Sequence, residues 1–262
     1  MRKFHRSVIA ATAALLASSA GAFAADLYGG SIKDNGYVPT TTSRPTMFYA
    51  RGDFSYSSND FGGLSEEPNF RHSSTHFGNS SSWGGGLGMY FSPQVRGDLT
   101  LDWSNTGSIN GTLVPGTFAT VPGERHFGVK HMVGLANLYY DFDTRGRFTP
   151  YLGVGVGFAR NTTTAGVVDV SGCASTTCSA QMDGASKTNA AGAFMAGFSA
   201  KLHDRWSLDA GYRFLYTGDA KTGDINITRN PVSPGSPDST PAVHVNDMYA
   251  HQFRVGLRMD LR

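Results

Sequence analysis

The 262-residue chain is short of charge, of cysteine and of long apolar runs. Charged side chains make up 16% of the residues, whereas ordinary soluble domains contain about 25%. Beyond the N-terminal region, no apolar run approaches the roughly 18 residues of a membrane-spanning helix. The two cysteines have no other Cys or His nearby in the sequence, which argues against a metal or redox pair. What is abundant is glycine, at 33 residues, and aromatic residues, at 12%, a composition typical of an all-β protein with many turns.

The first 24 residues have the features of a secretory signal peptide. Arg2, Lys3 and Arg6 form a basic start, an apolar run follows at 8–17, and 22–24 is a small-x-small cleavage site. The chain is therefore expected to be exported. Cleavage removes three of the 22 cations and no acid, so 19 basic residues would balance 20 acidic ones. This balance does not indicate a nucleic-acid partner.

Residues 25–46 are polar, contain two prolines, and are expected to form a periplasmic N-terminal extension without a core. From residue 47 onward, apolar and polar residues alternate with a period of two, which indicates β-strands with two different faces. The alternation returns eight times and predicts strands near residues 47–56, 83–91, 95–103, 131–142, 148–160, 189–202, 206–216 and 249–261.

The stretch VRGDLTLDW at 95–103 shows this alternation most clearly. Its odd-numbered residues are all apolar or glycine and its even-numbered residues are all polar, so the two faces of the strand differ. It contains the cell-adhesion tripeptide Arg-Gly-Asp, which occurs again at 51–53. Because both tripeptides lie on predicted strands rather than in loops, we do not expect them to bind a cell-surface receptor.

The connections between the predicted strands alternate between short and long. The tight ones lie at 92–94, 143–147 and 203–205, and the long polar ones lie at roughly 57–82, 104–130, 160–188 and 217–246. An even number of strands with short turns at one rim and long loops at the other is typical of a transmembrane β-barrel. The sequence thus predicts an all-β fold, an eight-stranded antiparallel transmembrane β-barrel over residues 47–262.

Aromatic residues near the strand ends fit the two aromatic girdles of such a barrel. They are Trp83, Phe91, Trp103, Tyr139, Tyr140, Phe142, Trp206 and Tyr216. A soluble sandwich or a lipocalin-like barrel would place these residues in a core. Neither alternative explains why the connections alternate in length.

The polar faces of the strands are expected to point into the barrel. By alternation, the inward cations are Arg51, Arg96, Lys201, Arg213, Arg254 and Arg258, and the inward anions are Asp53, Asp98, Asp102, Asp141, Asp209 and Asp260. Eight strands enclose a lumen just wide enough for side chains to fill it. Because unpaired charges there would be unfavourable, we expect an ion-pair network that closes the lumen.

Two pairs of residues in the long connections are candidates for other sites. Cys173 and Cys178 would meet an oxidising environment after export and are expected to form a local disulfide. His72 and His76 lie four residues apart, and neutral imidazole is a common metal ligand. These two histidines are the candidates for haem binding, although histidines in loops are usually only solvated. No other cofactor is expected.

Several stretches of the chain resemble a known family. They are the signal peptide, ADLYGGSIKD, TPYLGVGVGF, AGFSAKLHDRWSLDAGYRFLY and HQFRVGLR. Together they resemble the small outer-membrane β-barrel proteins of alphaproteobacteria, the major surface-antigen barrels related to the transmembrane domain of OmpA and to OmpX. The resemblance covers nearly the whole mature chain. Such barrels usually end in an aromatic residue, whereas this chain ends in Leu261-Arg262.

The resemblance implies a protein of the cell outer membrane that contacts lipid and lipopolysaccharide and is inserted by the barrel-assembly machinery. It implies a non-enzymatic role, in which the barrel strengthens the envelope and its loops contact host surface molecules or the environment. A small porin and a haem-binding barrel are alternatives. A lipid-modifying or proteolytic enzyme is a further one, but His72 beside Ser73 and Ser74 is a weak basis for it, because adjacency in a loop is not a fixed geometry.

Overall fold

The computed structural model describes residues 48–65, 71–114, 123–144, 146–170, 177–230, 239–240 and 242–261. The predicted signal peptide and N-terminal extension lie outside these residues. Within the described ranges no helix is long and apolar enough to cross a membrane. The strands found there are β1 Phe48–Ser65, β2 Arg71–Phe77, β3 Ser80–Tyr90, β4 Val95–Ser104, β5 Gly107–Val114, β6 Gly123–Asp141, β7 Phe148–Thr163, β8 Gly166–Val170, β9 Thr177–Met182, β10 Ser186–His203, β11 Trp206–Lys221, β12 Ile225–Asn230, β13 Ser239–Thr240 and β14 His244–Leu261.

Eight of these strands close into a ring. The antiparallel order is β1, β3, β4, β6, β7, β10, β11 and β14, and β14 pairs back onto β1 along almost its full length. A closed ring has no free edge, so its backbone N–H and C=O groups satisfy one another without water. The predicted eight-stranded antiparallel barrel is confirmed.

The two ends of the ring differ. Short turns join β3 to β4, β6 to β7 and β10 to β11 at the same end, which we call the turn end. These are the three tight connections that the sequence predicts. The opposite end, which we call the loop end, carries the long connections.

The outer wall of the ring is apolar and exposed. Leu99, Val156 and Phe253 are each 69% exposed, and Phe194 is 67% exposed. Large apolar side chains of this kind cover the outside of the strands, while the residues between them point inward. Since contiguous exposed apolar surface of this extent requires an apolar environment, the wall is suited to lipid.

Aromatic side chains border this wall at both ends. The rings of Trp83 and Trp103 lie 5.3 Å apart near the loop end, and those of Tyr140 and Phe142 lie 5.1 Å apart near the turn end. One residue assigned to the girdles from the sequence is placed differently. Tyr139 is 2% exposed and points into the barrel, because it alternates with the outward Tyr140 on β6.

At the loop end, the structure corrects the sequence prediction. The long connections hold six further strands, and the sheet continues in the order β2, β5, β6, β8, β9, β12 and β13. We call this part of the sheet the outer extension. It forms because the alternation of apolar and polar residues persists there, as at Phe127 and Val129, although hidden among Gly, Ser and Thr.

The apolar wall predicts how substitutions at its middle act. Leu99→Arg is expected to lower the free energy of unfolding by about 2–4 kcal/mol, because it places a charge in the lipid-facing band. Leu99→Ile keeps an apolar side chain of the same size and is expected to cost less than about 1.5 kcal/mol. Urea-gradient unfolding in lipid vesicles measures both. Equal stability of the two variants would show that Leu99 does not face lipid.

Candidate functional site

The two Arg-Gly-Asp tripeptides meet inside the barrel. Arg51 Nη2 on β1 lies 2.7 Å from Asp53 Oδ1 of its own tripeptide, and Arg51 Nη1 lies 3.0 Å from Asp98 Oδ2 of the second tripeptide on β4. These three side chains are at most 5% exposed. The charged atoms therefore neutralise one another in the lumen and face away from any receptor outside the cell.

A second set of contacts joins opposite walls of the ring. Three strands separate β4 from β11 on either side, yet Arg213 Nη1 on β11 lies 2.6 Å from Asp102 Oδ2 on β4. Arg213 Nε also donates a hydrogen bond of 2.5 Å to Gln252 Oε1 on β14. Arg254 Nη2 lies 3.2 Å from Asp53 Oδ2 and 3.6 Å from Asp102 Oδ1. Ion pairs thus extend across the whole width of the lumen.

Arg96 on β4 is fully buried and lies among tyrosine rings. Its Nε donates to both carboxylate oxygens of Asp141, at 2.9 and 3.1 Å. Its Cζ lies 4.2 Å from the ring centroid of Tyr139 and 5.1 Å from that of Tyr151. Neither Nη atom has a hydrogen-bond partner within the described ranges, so cation–π attraction is what stabilises this side of the guanidinium. The inward alternation of Tyr139 with Asp141 is the sequence signal that could have revealed this arrangement.

A further ion pair lies near the turn end, between β11 and β14. Arg258 Nη1 on β14 lies 3.4 Å from Asp209 Oδ2 on β11, and Ser199 on β10 donates a short hydrogen bond to the same carboxylate. All three side chains are buried. The ion-pair network therefore includes strands β1, β4, β6, β11 and β14, with β10 contributing a hydroxyl.

Two residues predicted for the network lie at its margin. Asp260 is half-buried and accepts a hydrogen bond of 3.0 Å from the Tyr90 hydroxyl, and no cation of the described chain forms an ion pair with it. Lys201 is exposed, and the part of the chain that is described offers it no carboxylate partner. Lys201 pairs with the buried Ser207 in the same register that pairs the inward Ser199 with Asp209. It therefore keeps an inward strand position but lies at the open turn end, where its side chain is exposed.

Neutral polar and apolar side chains fill the remainder of the lumen, and the buried polar ones include Ser55, Asn137 and Gln252. Beside the ion pairs, one cluster lines the inner faces of β6, β7, β10 and β11; it consists of Val133, Leu135, Tyr139, Tyr151, Ala159, Ala191, Ala193, Met195 and Leu215. A second cluster lies at the loop end, and we call it the apolar cap; it consists of Phe77, Ile109, Phe127, Val129, Met182, Ala220, Ile225, Val243, Val245 and Met248. Sequence reasoning missed the cap because these segments were taken as polar loops.

Inward-facing glycines make room for the buried carboxylates. A Cβ atom at Gly84 would collide with the carboxylate of Asp102, and one at Gly256 would collide with that of Asp53. The same holds on β7, where a Cβ atom at Gly153 would meet the ring of Tyr139 at 2.5 Å. The lumen is therefore packed so closely that backbone without side chains is needed beside the charges.

The remaining candidates from the sequence are two histidines and two cysteines. His72 and His76 lie on β2 and Cys178 lies on β9, but the side chains of these residues, and all of Cys173, are outside the described residues. The haem candidates and the disulfide therefore stay predictions. Among the side chains that are described, no group of three or more His, Cys, Asp or Glu could hold a metal ion.

A closed ring of eight strands with an apolar outer wall, aromatic borders and a charged, filled interior is a transmembrane β-barrel. The chain matches the family model of the outer membrane protein beta-barrel domain over residues 10–230. It belongs to that family, and its place is the outer membrane. In barrels of this class the short turns face the periplasm and the long loops face the outside, which assigns the turn end and the loop end.

The chain is also similar to individual proteins and solved structures. An uncharacterized protein of Brucella melitensis biotype 1 is 30% identical, and the alignment covers 95% of each chain. The outer membrane protein OprG of Pseudomonas aeruginosa has a TM-score of 0.47 at 17% identity, covering 83% of this chain and 97% of that one. Neisserial surface protein A has a TM-score of 0.44 at 18% identity, covering 82% and 97%.

The ion pairs of the two tripeptides predict a large effect of neutralising one carboxylate. Asp98→Asn leaves Arg51 without one of its two carboxylates and is expected to lower the free energy of unfolding by about 3 kcal/mol. Asp224→Asn changes the same functional group at an exposed position of the outer extension, and a change within about 0.5 kcal/mol is expected. Urea-gradient unfolding in lipid vesicles measures the free energy of unfolding of both variants. If Asp98→Asn were as mild as the control, the buried pairing would be refuted.

Proposed function

We propose that this protein is a non-enzymatic surface barrel that strengthens the outer membrane and does not conduct ions. The observation that carries the proposal is the filling of the lumen. Arg213 and Asp102 connect its opposite walls, apolar side chains occupy the space beside them, and the apolar cap closes the loop end. A barrel with this interior is a rigid cylinder in the membrane rather than a channel.

The outer extension supports a role at the cell surface. Its inner face carries the apolar cap, while its outer face presents polar side chains such as Ser108, Asn110, Gln181 and Asn226, which are exposed. An extension with an apolar core and a polar outside holds its shape in water. We propose that this ordered β-wall, rather than flexible loops, is what contacts host surface molecules or other partners.

The small porin is the alternative that the geometry opposes most directly. An ion crossing the lumen would have to break ion pairs such as the one between Arg51 and Asp98 and then pass the apolar cap. Charges that are already paired and shielded from water offer no hydration path. In our proposal the barrel therefore has no transport role.

Planar-bilayer recordings test the proposal. The refolded mature chain is expected to give no stable single-channel steps above the bilayer background, because the lumen is filled along its length. A known porin reconstituted in the same lipid is the positive control, and the heat-dependent gel shift of folded barrels verifies that the inserted protein is folded. Reproducible conductance steps from the folded wild-type chain would contradict the closed barrel and favour the porin.

A further inference from the structure

Two cations stand on the outer wall of the barrel at its loop end. Lys130 on β6 and Arg160 on β7 are both exposed, and both alternate with residues that point inward. In the register of these strands, Lys130 is opposite Thr162 and Arg160 is opposite Met132. The two cations are therefore diagonal neighbours on the same face, about 7 Å apart between their Cα atoms. Neither has an ion pair or hydrogen bond with any described residue.

Their height on the wall is defined by the apolar residues beneath them. On β7 the outward residues from Phe148 to Phe158 form an unbroken apolar series, and Arg160 is the next outward position. Ten residues of a strand tilted by about 40° rise about 25 Å, which equals the height of the apolar band of such barrels. On β6 the outward residues from Tyr140 to Met132 are likewise apolar, and Lys130 follows. Both cations therefore lie at the level of the outer-leaflet headgroups.

The surroundings of the two cations favour an anion. The outward neighbours on the adjoining strands are neutral, and they include Thr162 and Ser186, whose hydroxyl oxygens lie 3.0 Å apart. The nearest segments of the ring, 104–108, 126–132, 158–164 and 186–190, contain no Asp or Glu. Further round the ring, on β11 and β14, the loop end carries the carboxylates Asp219 and Asp247.

Those two carboxylates have partners within the chain. Asp219 on β11 is paired with Lys187, whose Nζ lies 2.8 Å away, and Asp247 on β14 accepts a hydrogen bond of 3.0 Å from Tyr216. Charged groups at this height thus have partners within the chain on one side of the barrel. On β6 and β7 the described residues supply no such partner, so the two cations can bind an anionic group from the membrane.

We propose that Lys130 and Arg160 form a binding site for the phosphate groups of lipopolysaccharide in the outer leaflet. The site lies where a phosphorylated saccharide headgroup meets the apolar band, so acyl chains can pack on Met132 and Phe158 below it. A guanidinium can bind two phosphate oxygens at once, and an ammonium adds a point charge beside it. The hydroxyls of Thr162 and Ser186 supply further hydrogen-bond donors. The site gives the barrel one side that holds lipopolysaccharide directly.

Binding to refolded protein in phosphatidylcholine nanodiscs tests the site. The apparent Kd for purified lipopolysaccharide is measured by titration for the wild type and for the double variant Lys130→Gln/Arg160→Gln. The double variant is expected to bind at least tenfold more weakly. Each single variant is expected to have an apparent Kd between those of the wild type and the double variant. Chemically dephosphorylated lipopolysaccharide should bind the wild type as weakly as the intact lipid binds the double variant. Higher salt should reduce the difference.

The matched control removes the same charge at the other end of the barrel. Arg147 and Lys201 are exposed near the turn end, and Arg147→Gln/Lys201→Gln is expected to leave the apparent Kd unchanged. An equal loss in this control would mean that only net charge matters and would overturn the site. Equal binding of phosphatidylglycerol would also overturn it, because the patch would then be a general anionic-lipid surface. All substituted residues are exposed, and the gel shift of each variant verifies folding.

Discussion

The structure depends on one constraint: charges enclosed by eight strands have neither water nor room, so they must find one another. A lumen of this size is filled by side chains alone, and a buried ion without a partner is far less stable than a paired one. The inner face of β4 shows the consequence, since Arg96, Asp98 and Asp102 each contact a partner from another strand. The pairing of these charges and the closure of the ring therefore depend on each other.

This constraint links distant parts of the sequence. Arg213 and Asp102 are 111 residues apart, and their contact forms only when both halves of the ring are in place. The glycines that face the carboxylates belong to the same arrangement, because any side chain at Gly84 or Gly256 would displace a charge. The apolar cap then separates these ion pairs from the outside. We propose that a barrel organised in this way resists both expansion of its lumen and passage of ions through it.

Alternation with a period of two was sufficient to predict the fold and most of the inward charges, because lumen and lipid impose opposite requirements on neighbouring residues. The expectations were wrong where composition replaced alternation or where the barrel opens to water. Tyr139 was assigned to a girdle by its residue type, whereas its alternation with the outward Tyr140 places it in the lumen. Lys201 keeps the inward register, but it lies at the open turn end, where water rather than a carboxylate can surround its charge. The strands of the outer extension were missed because water surrounds their polar face and glycine interrupts their apolar one. Contacts across the ring, such as that of Arg213 with Asp102, depend on how all eight strands are registered and cannot be inferred from alternation.

The most direct measurement of the central claim is a double-mutant cycle on the pair that crosses the lumen. The free energies of unfolding of the wild type, Arg213→Gln, Asp102→Asn and the double variant are compared in the same vesicles. If the ion pair exists as the structure has it, the two substitutions interact, with a coupling energy of at least about 1 kcal/mol. Additive effects, within about 0.3–0.5 kcal/mol, would mean that the two charges do not contact each other and that the lumen is not held closed by this pair.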